Sequence, residues 1–148
     1  MAQETIVNEF FEYIGETVNG MPDGFGKIRY IGDDYFLGYE GYFKEGKENG
    51  KGRQVTVDGV CECEFVDGTP RGIGKFIYRG GDVYEGPIDG LPEGEGIVTL
   101  SDGRTFRGLF RGGYPEGEGI LTDLDGTETR CEFPEERMPA EYSDEDIV

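Results

Sequence analysis

Apolar and polar positions alternate along most of this chain. In Tyr39-Glu-Gly-Tyr-Phe43, positions 39, 41 and 43 carry ring, glycine and ring. Strand side chains point to opposite faces in turn, so these three share one face and predict a strand. A second apolar run follows a glycine-rich break, as in Lys75-Phe-Ile-Tyr-Arg79. The break carries a Gly-x-Gly pair that recurs at Gly24/Gly26, Gly50/Gly52, Gly72/Gly74, Gly94/Gly96 and Gly117/Gly119, in steps of 26, 22, 22 and 23 residues. Four residues before each pair sits another glycine: Gly20, Gly46, Gly68, Gly90 and Gly113. Each unit opens with an aromatic or its substitute (Tyr13, Tyr39, Cys61, Tyr84, Phe106), and a very small residue follows two positions later (Gly15, Gly41, Cys63, Gly86, Gly108). Asp-Gly closes several units, at 58–59, 102–103 and 125–126. Self-similarity at this period is the signature of a repeat architecture.

One β-hairpin per unit follows. The glycines, with Asn19 and Asn49 beside two of them, supply the positive φ angles of tight turns, and Asp-Gly reverses the chain between hairpins. Stacked hairpins place like positions beside like. One row is Tyr13, Tyr39, Cys61, Tyr84, Phe106 and Thr129; the row four residues on is Thr17, Phe43, Phe65, Ile88, Phe110 and Phe133. The glycine row between them leaves room for rings to lie over backbone. Ile28/Tyr30, Phe76/Tyr78 and Val98/Leu100 are expected on the same face. The predicted fold is all-β: an elongated, twisted antiparallel sheet of tandem hairpins, held by burial between neighbouring repeats.

The pattern resembles the MORN repeat (membrane occupation and recognition nexus), whose core is Tyr-x-Gly, a spaced glycine, then Gly-x-Gly and Asp-Gly. The fullest match is Tyr39-Glu-Gly41, Gly46, Gly50-Lys-Gly52 and Asp58-Gly59; Phe106-Arg-Gly108, Gly113, Gly117-Glu-Gly119 and Asp125-Gly126 is nearly as complete. The resemblance covers residues 13–133 as five units and a partial sixth, leaving 1–12 as an N-terminal cap and 134–148 as an acidic tail. Residues 1–12 carry Ile6, Val7, Phe10 and Phe11, which fit either helical spacing or a strand entering Tyr13. The departures predict irregularities. About four extra residues around Gly32–Gly38 call for a bulge or longer loop, and Tyr84-Glu-Gly86-Pro-Ile-Asp-Gly90 is one residue short before its turn. Gln54, Thr56 and Asp123 put polar groups where apolar ones belong.

Composition agrees and removes several chemistries. Glycine accounts for 27 of 148 residues, with 9 Tyr, 10 Phe and no Trp. Alanine occurs only as Ala2 and Ala140, so the best helix former is nearly missing. With no histidine there is no Ser-His-Asp or Cys-His nucleophile, no histidine metal ligand and no histidine switch. Lys and Arg number 14 against 32 acids, a net charge of -18, which disfavours nucleic acid and anionic lipid and favours a Lys/Arg-rich partner. No apolar run approaches the ~20 residues of a membrane helix, and no secretory signal opens the sequence, so the expected location is cytoplasmic.

Other candidate chemistry reads blandly. The paired carboxylates of Pro92-Glu-Gly-Glu-Gly96 and Pro115-Glu-Gly-Glu-Gly119 recur at one repeat position, as solvated turns do. Asp123-Leu-Asp125-Gly126 lacks the remaining ligand spacing of an EF-hand. Cys63 and Cys131 stand about three repeats apart, roughly 29 Å at strand spacing, too far to bond within one chain. Cys61 and Cys63 alternate along one strand, are poorly placed for a bridge, and read as small buried residues rather than a metal site.

The expected function is a non-enzymatic scaffold or adaptor, which the family resemblance also implies, often linking a partner to cytoskeletal or membrane-associated assemblies. No catalytic residue, cofactor or metal is expected. A one-layer sheet cannot bury both faces, so the aromatic row Phe43, Phe65, Tyr84, Phe106 and Phe110 is expected to present a contact surface. Glu40, Glu62, Glu64 and Glu85 form an acidic stripe on the opposite face, with Glu40, Glu62 and Glu85 as its contact residues, and rings with carboxylates suit a Lys/Arg-rich segment. A self-assembling structural piece, forming a homodimer through an edge strand, and a phosphoinositide-associated module are the alternatives.

Overall fold

The computed structural model describes residues 3–134, and the expected tail lies outside them apart from Pro134. Among the described residues the chain forms thirteen strands: β1 (Gln3–Val7), β2 (Phe11–Val18), β3 (Met21–Tyr30), β4 (Phe36–Lys44), β5 (Lys47–Thr56), β6 (Gly59–Val66), β7 (Thr69–Tyr78), β8 (Val83–Asp89), β9 (Leu91–Pro92), β10 (Gly94–Thr99), β11 (Thr105–Arg111), β12 (Tyr114–Thr122) and β13 (Glu128–Glu132). They make one antiparallel sheet in sequence order, with the short β9 off the path against β8. The fold is the all-β tandem-hairpin array that the spacing predicts.

The hairpin tips obey the turn chemistry. Asn19-Gly20, Glu45-Gly46, Asp67-Gly68 and Gly112-Gly113 all have positive φ at both central residues, the requirement of the tight hairpin turn. The shortened fourth unit has only Gly90 in that region, and its second strand is split into β9 and β10 around Glu93. The extra residues of the first unit form a loop after Tyr30. There Asp33 Oδ1 accepts from the Tyr35 and Phe36 amides, and a bulge follows between Phe36 and Gly38.

The first glycine of each Gly-x-Gly pair explains how a single sheet makes a core. Gly24, Gly50, Gly72, Gly94 and Gly117 take φ between 73° and 99°. In four units that puts a left-handed residue inside a second strand, which bends the ladder there; in the fourth, the corner opens β10. Beyond the corner the tips bond to one another: the Gly46, Gly90 and Gly113 amides donate to the carbonyls of Pro22, Pro70 and Pro92 in the preceding unit. Those three prolines are buried on the same side as the rings. The Tyr78 hydroxyl reaches the Gly113 carbonyl at 3.4 Å, and Tyr30 donates to Glu48.

Inside this fold the rings interlock between units. Tyr13 packs edge-on against Phe43, Tyr39 against Phe65, Tyr84 against Phe110 and Phe106 against Phe133, with centroids 4.9–5.2 Å apart. Each opening ring covers two glycines. A Cβ on Gly52 would run into the Tyr39 ring, and one on Gly26, Gly96 or Gly119 would strike Tyr13, Tyr84 or Phe106. Beside the bulge between Gly41 and Phe43, the Tyr39 hydroxyl donates to Tyr42 O at 2.9 Å, and the Tyr84 hydroxyl donates to Pro87 O at 2.7 Å. Gln54, Thr56 and Asp82 are the buried polar residues among those described.

The core is broken once. Tyr13, Ile28, Tyr39, Phe43 and Phe65 form one cluster, while Cys61, Phe76, Tyr84, Ile88 and the residues after them form another. Cys63 packs against both. The N-terminal segment is a strand, not a helix: β1 pairs with β2, and Asn8 Oδ1 takes the Phe10 and Phe11 amides at the turn between them.

Candidate interaction surface

The expected contact row does not face solvent. Phe43, Phe65, Tyr84, Phe106 and Phe110 are each 3% exposed or less. The expectation was that a one-layer sheet leaves one of its faces open; bending at the glycine row encloses the ring face instead. A partner cannot reach those five side chains while the sheet stays folded. Burial also pushes the Tyr84 hydroxyl up to about 12, and Tyr13 and Tyr39 move the same way for the same first cause.

The surface that does face outward is the other side of the same strands. Glu40, Glu62 and Glu85 lie on it, exposed and in line, as alternation requires. They are not an acidic stripe, however. Register places Lys27 opposite Glu40, Glu40 opposite Arg53, Arg53 opposite Glu62, Glu62 opposite Lys75 and Lys75 opposite Glu85. Six consecutive strands therefore alternate in sign. Lys27–Glu40, Arg53–Glu62 and Lys75–Glu85 approach to 3.8, 3.6 and 3.9 Å. All six are well exposed, so each pair contributes roughly 0–1 kcal/mol and fixes register more than it stabilises. The cations were overlooked in the sequence, although each follows its Gly-x-Gly pair directly: Lys27 after Gly26, Arg53 after Gly52, Lys75 after Gly74.

Beyond β8 the row changes character. Ile97 stands opposite Glu85, then come Arg107, Ile120 and Arg130 on β11, β12 and β13. Isoleucine replaces the alternating partner in every second strand.

The outward face also holds an aromatic pair. Phe25 and Tyr42 are cross-strand neighbours, edge to face at 5.4 Å, and are 44% and 50% exposed. Glu16 lies beside them, its Oε1 accepting from the Phe25 amide at 2.7 Å. The pair escaped the sequence reading because Phe25 sits between two glycines and Tyr42 beside the buried Phe43. Farther along, Leu37, Val55, Val60 and Ile77 line an open groove of about 440 Å³. Of the paired carboxylates near Gly94, Glu93 serves structure: its Oε2 accepts from the Gly112 amide at 2.5 Å, tying one tip to the next. Among the described residues, no three Cys, Asp or Glu side chains are grouped so as to hold a metal.

The MORN repeat family matches residues 13–34, 39–61, 64–83, 88–103 and 106–128. The chain belongs to the MORN-repeat family. The matches open on Tyr13, Tyr39 and Phe106 in the first, second and fifth units. In the third and fourth they open at 64 and 88, past Cys61-Glu-Cys63 and Tyr84-Glu-Gly-Pro87, where this array departs from the pattern. The MORN-repeat fold is a non-catalytic module that generally supports a protein-interaction or scaffold role. No curated protein matches the chain significantly. No helix among the described residues of this MORN array is long and apolar enough to cross a membrane.

Proposed function

We propose that this MORN array is a scaffold that binds a Lys/Arg-rich protein segment on its outward face, centred on Phe25 and Tyr42. The observation that carries the reading is the exposed aromatic pair with the Glu16 carboxylate beside it. A lysine or arginine laid over such rings gains about 0.5–1 kcal/mol at an exposed site. The net charge of -18 steers a basic segment toward the molecule from a distance. Phe43, Phe65, Tyr84, Phe106 and Phe110 support the face from behind.

The test is capture from soluble extract at low and high salt, with wild type beside Phe25→Ala/Tyr42→Ala. Both residues are half-exposed, so this variant is expected to fold, which circular dichroism checks. A discrete basic protein retained by wild type and lost by the variant supports the reading. Equal retention by both places the contact elsewhere, and capture of the chain alone gives self-assembly precedence. Co-sedimentation of the purified chain with anionic vesicles would favour the membrane alternative.

A further inference from the structure

The third unit breaks the ring pattern at two linked places. Cys61 stands where the other units have an aromatic, and Ile88 stands where the next unit should supply the facing ring. The space over Gly74 is taken by the side chains of Cys63 and Ile88: a Cβ on Gly74 would lie 2.5 Å from Cys63 Cβ and 3.2 Å from Ile88 Cδ1. Volume compensation alone would be met by any small apolar residues. It does not require two sulfurs in contact, yet Cys61 Sγ and Cys63 Sγ lie 3.4 Å apart. Extended strands usually keep i and i+2 side chains apart. Here β6 carries a bulge against β7 between Glu62 and Glu64, at Cys63 itself. The bridge that strand alternation disfavours is therefore within reach.

We propose that Cys61 and Cys63 form an oxidisable dithiol, closed to an intrachain disulfide by a low-molecular-weight disulfide of the glutathione class. Cys63 is the entry point, being half-buried, while Cys61 is 2% exposed. The Cys63 thiolate attacks one sulfur of the small disulfide, forming a mixed disulfide and expelling one thiolate. Cys61 then gives up its proton and attacks Cys63 Sγ, expelling the second. Two protein thiols lose two electrons and two protons, and one small disulfide becomes two thiols. The bond length of about 2.05 Å needs the sulfurs to close by little more than 1 Å. The contact between the two sulfurs lowers the Cys63 thiol and raises Cys61, which makes Cys63 the thiol that attacks first. Because Cys63 touches both core clusters, the bond would form at the one seam of the array.

The test equilibrates the full reduced chain with oxidised and reduced glutathione, then blocks free thiols in denaturant and maps peptides by mass. The expected product has lost two hydrogens within the peptide spanning 61–63, with Cys131 free and blocked. A glutathione adduct that persists on Cys63, a disulfide involving Cys131, or three free thiols under conditions that oxidise a reference dithiol would each overturn the proposal. Phenylarsine oxide gives a second measurement without oxidation. Cys131→Ser should take up one equivalent, and Cys61→Ser and Cys63→Ser should lose stable uptake. Should either serine variant fail to fold, Cys131→Ser alone still decides, since failure to bind the arsenical refutes a paired dithiol.

Discussion

The second and third units differ at one rung, and the difference separates what a MORN hairpin requires from what it tolerates. In the second unit Tyr39 covers Gly41 and Gly52, donates to Tyr42 O and packs edge-on against Phe65 of the next unit. In the third, Cys61, Cys63 and Ile88 occupy the corresponding volume, and the ladder on both sides keeps its pairing. The hairpin therefore needs the space filled and the corner glycine bent. It does not need the ring at every rung. What is lost there is continuity, since the ring stack breaks into two clusters at this point.

Truncation at the two equivalent positions should separate the rungs most widely. Tyr39→Ala should cost about 3–5 kcal/mol, as large buried aromatics do, and Cys61→Ala only about 1 kcal/mol. Denaturant unfolding of the two variants checks this, and equal losses would mean that the third rung carries as much as the second. A transplant comes next. Cys61→Tyr alone should destabilise by about 1–3 kcal/mol, because Cys63 fills the space above Gly74 that the ring needs. Cys61→Tyr/Cys63→Gly should recover most of that loss, and a double-mutant cycle should return a coupling of at least about 1 kcal/mol.

A smaller effect separates the units by pH. Tyr84 is held neutral by burial, its hydroxyl pushed up to about 12 from an ordinary 10.0. A raised folded-state value means stability is intact below pH 10.0 and is lost as pH climbs from there toward 12. Thermal scans across that window should show a falling melting temperature, and Tyr84→Phe should flatten the fall. The smallest effect belongs to the outward face. Glu62→Lys would set three cations side by side with Arg53 and Lys75, at a cost of about 0.5–1 kcal/mol that added salt should reduce.

These contrasts also show which parts of the molecule were legible in the residues. The hairpins, the rows and the glycines under the rings follow from spacing, because alternation and positive φ are local properties. The extra residues before Phe36 announced a bulge or longer loop for the same reason, whereas the missing one before Gly90 marked the fourth unit as irregular without specifying the split strand. The failure at Phe43, Phe65, Tyr84, Phe106 and Phe110 came from a property that is not local. Five corner glycines acting together fold the sheet over its own aromatic face, and no single unit reveals the sum. Lys27, Arg53 and Lys75 were missed because carboxylates were aligned within first strands alone, and the neighbouring second strand decides their environment. Phe25 and Tyr42 lay hidden beside stronger signals. The contact between the two thiols depends on a bulge, which strand alternation cannot anticipate.

The alternating row on the outward face bears on how such an array can lengthen. From β4 to β8, every first strand contributes a carboxylate and every completed second strand a cation. A duplicated hairpin inserted among them meets opposite charge on both flanks, whereas a single duplicated strand meets like charge on one. Growth by whole units is thus electrically neutral for this surface, and growth by halves is penalised before any core contact is counted. Beyond β8, where isoleucine takes every second place, that bookkeeping lapses, and the last two hairpins are free to diverge.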